Sequence, residues 1–125
     1  MASESKVAGP RVGHKAPDWE GDAVVGGKFV RMSSKQFRGR YSLLLFYPLD
    51  FTFVCPTELC AFNDRLHEFK ALDCDVIACS VDSKFSHLAW TQTPRTKGGL
   101  GPMELPLLSD ITKSIATSYG VLVDS

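Results

Sequence analysis

The sequence predicts an α/β fold, a central sheet flanked by helices, and three observations predict it. Two apolar runs, Tyr41–Tyr47 and Cys74–Val81, lack polar alternation, as strands covered on both faces do. Between them Leu59, Phe62, Leu66, Phe69 and Leu72 step by three and four, the stripe of one buried helical face. Strand, helix, strand and helix then follow in turn, the order that builds a parallel sheet with crossover helices. A chain of 125 residues, 44% apolar and 22% charged, is a single globular domain over 1–125, not a disordered tract.

The elements read in order. Met1 to Asp18 is polar, with Gly9, Pro10 and Pro17, and reads as an extended arm. Gly26-Gly27 between Val24-Val25 and Phe29-Val30 fits a two-residue hairpin turn. Ser33 to Phe37 reads as one helical turn, with Ser33 as cap and Gly39 as stop. Pro48 ends the first buried strand, and Leu49 to Val54 form a loop. Pro56 then suits the first turn of a helix, where its missing N–H costs nothing. After the second buried strand, Ser83 caps a helix through Phe85, Leu88 and Ala89, which Pro94 stops. Arg95 to Pro102 is a Gly-rich loop and Leu105 to Leu108 a brief strand. Asp110 caps a last helix, Ile111 to Ser118, that Gly120 ends. A strand, a turn carrying a cysteine, a helix and a second strand together suggest a thioredoxin-like layout, which speaks to fold alone.

Charge and composition exclude several classes. Fourteen basic and fourteen acidic residues cancel, so no global field attracts nucleic acid or an anionic membrane. The longest apolar run is far short of the roughly 20 residues of a membrane span. No basic start is followed by an apolar run, so the expected compartment is the cytosol. Four cysteines there stay reduced and serve chemistry, metal or core filling.

The cysteines separate by position. Cys55 and Cys60 are five apart, as are Cys74 and Cys79. Five residues turn a helix by about 500° and put strand side chains on opposite faces, so neither pair clamps one metal ion. No Cys-x-x-Cys is present for a dithiol site. Cys74 and Cys79 sit in the second buried strand and Cys60 beside the apolar stripe, all as small hydrophobes. Cys55 precedes Pro56 at a helix start, where unpaired N–H groups and about half a positive charge favour thiolate. A free thiol of pKa about 8.5 is only about 3% ionised at pH 7, whereas one lowered to about 6 is roughly 90% ionised. The bland alternative is a turn cysteine without function. Thr52 adds a hydroxyl three residues earlier, and Pro48, Phe51, Phe53 and Val54 add an apolar surround. A small dry pocket of this kind suits attack on an O–O bond, where charge develops on the leaving oxygen.

The segment Pro48-Leu49-Asp50-Phe51-Thr52-Phe53-Val54-Cys55-Pro56-Thr57-Glu58 resembles the active-site segment of the typical two-cysteine peroxiredoxins, with their Pro-x-x-x-Thr-x-x-Cys signature. Ser80-Val81-Asp82-Ser83, His87-Leu88-Ala89-Trp90, Gly98-Gly99-Leu100-Gly101-Pro102 and Tyr119-Gly120-Val121-Leu122 resemble the family too, in its order, from about Val12 onward. The resemblance implies a thioredoxin-like fold and a thiol peroxidase that reduces hydrogen peroxide and organic hydroperoxides. It makes Cys55 the peroxidatic nucleophile, oxidised to sulfenic acid, with Thr52 bonding the peroxide, Pro48 shielding the thiolate and Glu58 ordering the site. It implies no cofactor and no metal, since the chemistry sits on sulfur. It implies thioredoxin or another thiol as reductant, and a homodimer or decamer for full-length members. In such decamers Phe51 and Ser80–Phe85 are candidate contacts.

The family uses Gly98–Gly101, with a C-terminal Tyr-Phe element, to slow local unfolding; without that context the loop is a flexible turn. Thr93-Pro94 resembles a proline-directed phosphorylation site but has Thr96 where a base is preferred. His14, His67 and His87 have no carboxylate or cysteine at a telling spacing and read as surface or packing residues. Members of the family continue past the length of this chain, with an arginine at the thiolate, the resolving cysteine and the rest of the sheet. The expectation is therefore a domain incomplete at its C-terminal end, poorly folded alone. A second class stays open: an impaired isoform that associates with full-length subunits or acts as a chaperone-like binding protein.

Overall fold

The computed structural model describes residues 10–51 and 55–122, with only the backbone of Cys55. Five strands form one mixed sheet in the order β2-β1-β5-β4-β3. Strands β1 (Glu20–Val25) and β2 (Lys28–Ser33) make the expected antiparallel hairpin. Its turn is Gly26-Gly27 with φ of 58° and 79°, values only glycine adopts cheaply in succession. A 3₁₀ turn over Ser34–Phe37 follows, with the Gln36 side chain accepting from the Ser33 N–H at 2.8 Å.

Strand β3 (Tyr41–Phe46) pairs in parallel with β4 (Cys74–Ser80), and β4 in parallel with β5 (Leu107–Ser109). Strand β5 also pairs antiparallel with β1. The unbroken apolar runs are explained by packing on both faces. Val76, Ala78 and Leu107 enter one cluster with Leu59, Leu66, Trp90 and Leu100. Their neighbours Ile77, Cys79 and Leu108 enter a second, with Trp19, Met32 and Ile115. Strand β3 departs from the expectation of full burial. It is the outermost strand of the described sheet, and its residues are exposed or only partly buried.

Three helical expectations are corrected. The stripe after Pro56 is carried by two helices, α1 (Cys55–Asp64) and α2 (Leu66–Ala71), broken at Arg65 with φ −108° and ψ 14°. Leu59 and Leu66 are buried and Phe62 and Phe69 pack on the core, but Leu72 points to solvent past the end of α2. Helix α3 (Lys84–Gln92) is capped by Ser83 as expected, its Oγ accepting from the Ser86 N–H at 3.1 Å. Its buried face is His87, Trp90 and Thr91, while Phe85 is exposed. Helix α4 is Ser114–Ser118, three residues shorter at its start than expected. The carboxylate of Asp110 still accepts from the N–H groups of Ile115 (3.0 Å) and Ala116 (2.7 Å). Among the described residues no helix is long and apolar enough to cross a membrane.

Candidate active site

Tyr47 and Asp50, just past the end of β3, are held by buried polar groups. Tyr47 donates its backbone N–H to Cys79 at 3.1 Å and continues the sheet by one residue. Its hydroxyl donates to Asp50 Oδ1 at 2.6 Å. Asp50 Oδ2 lies 2.8 Å from Nδ1 of His87, whose Nε2 lies 3.0 Å from the Leu108 carbonyl. A carbonyl only accepts, so Nε2 carries a proton, and another lies between Nδ1 and Asp50. Asp82 completes the arrangement. Its Oδ2 accepts from the Asp50 N–H and from the Ser80 hydroxyl, both at 2.7 Å. The Ser109 hydroxyl donates to its carbonyl at 2.6 Å. Tyr47, Asp50 and His87 are all buried. Burial first, and the adjacent Asp50 charge second, hold the Tyr47 phenol well above its usual range, so it stays a donor.

This network ties the ends of β3, β4 and β5 and helix α3 to the turn that leads into α1. Cys55 is the first residue of α1, a ten-residue helix, at the end where unpaired N–H groups gather. Glu58 lies in the first turn and is exposed. Thr52, Phe53, Val54 and the Cys55 side chain lie outside the described residues. Pro48 is exposed at the lining of a cavity of about 510 Å³, with Phe46, Val81, Ala116 and Val121. Phe51 is half exposed rather than sealed from water; its φ is 61°, and its ring meets Trp90 at 5.9 Å. Asp50, Asp82 and His87 also place metal-ligand atoms within 4.8 Å of one another, while Asp50 and His87 bond each other and Asp82 Oδ2 accepts from the Asp50 N–H and the Ser80 hydroxyl.

The other cysteines are packing residues, as the sequence suggests. Cys79 is fully buried, and burial pushes its thiol up to about 12. Cys60 is buried on α1 and its thiol, also raised by burial, donates to the Leu100 carbonyl at 3.6 Å. Cys74 is partly buried at the start of β4.

The inner part of the Gly-rich segment enters the core, with Gly99, Leu100 and Gly101 buried, and Met103 and Leu105 follow it inside. The C-terminal half of α1 fastens it. Asn63 Oδ1 accepts from the N–H groups of Glu104 and Leu105 at 2.9 Å each. Asp64 takes two bonds from Arg95, at 2.9 and 3.2 Å. Gly99 has no room for a side chain, because a methyl there would fall on the Thr93 carbonyl. Thr93 itself donates its hydroxyl to Ala89 at 3.0 Å.

Comparison with known proteins now decides the family. The profile of the AhpC/TSA family matches residues 12–125. The chain belongs to the AhpC/TSA family. Within that family it is 53% identical over 122 residues to human peroxiredoxin-4, covering 98% of this chain and 43% of the relative. It is 55% identical over 125 residues to the mouse mitochondrial thioredoxin-dependent peroxide reductase, covering all of this chain and 49% of the relative. The chain thus spans about half the length of these curated relatives. Among solved structures, the reduced two-cysteine peroxiredoxin of Plasmodium vivax superposes with a TM-score of 0.89 at 50% identity, over 92% of this chain and 72% of that one. The AhpC of Enterococcus faecalis superposes at 0.80 with 37% identity, over 89% and 65%. The thioredoxin-like arrangement expected from the sequence is therefore the fold of this AhpC/TSA chain.

Sequence reasoning missed the partnership of Tyr47, Asp50, Asp82 and His87. His87, a surface or packing residue by its sequence spacing, does pack, but as a fully buried, hydrogen-bonded group. Asp50 is 37 residues away, so no local spacing could signal the pair. The one available signal was a polar residue on the buried face of α3.

Proposed function

We propose that the chain is the peroxidatic part of a thiol peroxidase that reduces hydrogen peroxide and organic hydroperoxides. The observation that carries this reading is the place of Cys55, the first residue of a ten-residue helix, five residues after Asp50, which buried hydrogen bonds hold. The helix N-terminus favours thiolate over thiol. The thiolate sulfur attacks one oxygen of the O–O bond and forms an S–O bond as the O–O bond breaks. The other oxygen leaves with the electron pair and takes up a proton, giving water or an alcohol. Sulfur is oxidised by two electrons to sulfenic acid, and the peroxide is reduced by the same two.

In this reading Thr52 donates to the peroxide and stabilises the charge developing on the leaving oxygen. Pro48 limits access of water to the sulfur, and Glu58 orders the first helical turn. Thioredoxin or another thiol returns Cys55 to the thiol form, and the cytoplasm is the proposed compartment. Support comes from the names of the relatives, one of which is a thioredoxin-dependent peroxide reductase.

Peroxide consumption with a thiol reductant tests the proposal. Turnover by this chain that disappears in Cys55→Ser is the expected result. Equal consumption by both chains, or by neither, overturns it.

A further inference from the structure

Three other cysteines accompany Cys55, and they differ in their freedom to meet it. Cys74 and Cys79 are held in β4, and Cys79 is paired with Phe46 on one side and Leu108 on the other. Cys60 lies on the same helix as Cys55, five residues on. A continuous helix keeps Cα atoms five residues apart at about 8.7 Å, whereas a disulfide needs roughly 4.4–6.8 Å. A bond between Cys55 and Cys60 therefore requires the first turn of α1 to open.

The attachment of α1 is uneven along its length. Pro56 is only partly buried and brings no N–H, and Thr57 and Glu58 are exposed. Burial starts at Leu59 and Cys60. Further on, Asn63 holds the N–H groups of Glu104 and Leu105, and Asp64 holds Arg95 by two bonds. The turn that starts at Cys55 is thus free to unwind as far as Glu58 while the rest of the helix keeps its core contacts.

The surroundings of Cys60 suit a thiol that reacts once that turn has opened. The Leu100 carbonyl accepts from the Cys60 thiol at 3.6 Å and from Arg95 Nε at 3.1 Å, so a guanidinium stands beside the sulfur. Burial raises the Cys60 thiol in the closed fold, and the Arg95 charge works the other way. Pro56, Thr57 and Cys60 line one cavity of about 360 Å³ together with Arg95. Unwinding withdraws Pro56 and Thr57 from that wall, while Asp64 and Leu100 keep Arg95 in place.

We infer that Cys60, a packing residue in the reduced fold, resolves oxidised Cys55 within one chain by forming an in-helix disulfide after the first turn of α1 unwinds. The inference rests on the proposed peroxidase reading, which supplies the sulfenic acid at Cys55. The Cys60 sulfur attacks the Cys55 sulfur. An S–S bond forms as the S–O bond breaks, and the hydroxyl leaves as water with the proton from Cys60. Cys60 supplies the electron pair, so no further oxidant enters. The thiol reductant of the proposed function then returns both cysteines to thiols.

The test treats the reduced 125-residue chain with one equivalent of hydrogen peroxide, quenches it in acid, blocks the remaining thiols with N-ethylmaleimide and maps tryptic peptides. Cleavage after Arg40 and Arg65 leaves both cysteines in one peptide. The expected product is that peptide lighter by two hydrogens, with neither cysteine blocked, from a chain that runs as a monomer on a nonreducing gel. Cys60→Ser should lose this product and leave Cys55 open to capture by dimedone, while Cys74→Ser keeps it. Circular dichroism certifies that Cys60→Ser is folded, and the map of the unaltered chain needs no variant.

Dimedone-labelled Cys55 beside a free Cys60 in the unaltered chain overturns the inference and leaves the proposed function standing. So does Cys55 linked to Cys74 or Cys79, or a linked product confined to a dimer band. A Cys55 that peroxide does not oxidise overturns the inference and the proposed function together.

Discussion

At the scale of single residues, the buried trio of Tyr47, Asp50 and His87 sets the sharpest expectations. Removing one partner of a buried hydrogen-bonded pair leaves the other unsatisfied, a loss of about 1–3 kcal/mol. His87→Ala should therefore destabilise the chain by that order, read by urea unfolding. Tyr47→Phe removes one bond to a carboxylate and should cost roughly 1.5–3 kcal/mol. Indifference of the midpoint to His87→Ala would place the pair outside the stabilising network. The four cysteines should differ as sharply. Dilute peroxide should modify Cys55 first, and Cys79, pushed up to about 12 and buried, last, as peptide mass mapping will read. Even labelling across all four would contradict selective activation at the helix start. These expectations were unequally legible. The spacing of Pro48, Thr52 and Cys55 is local and stood out in the sequence. The bond between Asp50 and His87 spans 37 residues and exists only once the sheet has formed.

At the scale of elements, the sequence announced β4 through its apolar run, because that strand is buried on both faces, and the β1–β2 hairpin through its Gly-Gly turn. It failed where a continuing pattern hides a break. Leu59, Phe62, Leu66 and Phe69 keep helical phase through Arg65, yet the backbone there leaves helical geometry. Side-chain periodicity records which face is covered, not whether the hydrogen-bond ladder is continuous. The same limit applied to the Gly-rich segment, whose composition looks flexible but whose Leu100 is fully buried. Two glycine substitutions separate the causes. Gly98 has φ 84° and open space around it, so Gly98→Ala should cost about 1–2 kcal/mol of backbone strain. Gly99→Ala must push Thr93 aside and should cost more, beyond the roughly 1–3 kcal/mol of ordinary overpacking. Thermal melts of the two variants compare them directly, and a milder Gly99 variant would contradict the close approach.

At the scale of the molecule, buried weak acids shape the alkaline limit. Cys79, Tyr47 and Tyr119 all have folded ionisation ranges raised chiefly by burial. Below the ordinary thiol range, about 8.5, both folded and unfolded chains keep the Cys79 proton and nothing is lost. Between there and about 12 the unfolded chain sheds a proton that the folded chain retains, so stability falls as pH rises. Melting temperatures from pH 8 upward should decline, and Cys79→Ala should flatten part of that slope while lowering stability at neutral pH. A slope unchanged by Cys79→Ala would assign the alkaline loss to the phenols.

Trp90 gives the molecule an optical readout. Its indole is fully buried, donates to the Gly98 carbonyl at 3.1 Å, and packs against Tyr47 and against Phe51. The chain has one other tryptophan, Trp19, in the opposite cluster. In a Trp19→Phe background, the emission maximum of the remaining indole should lie to the blue. It should shift red whenever the Phe51 ring leaves Trp90, so that a fluorimeter could time the loss of that contact without any attached dye.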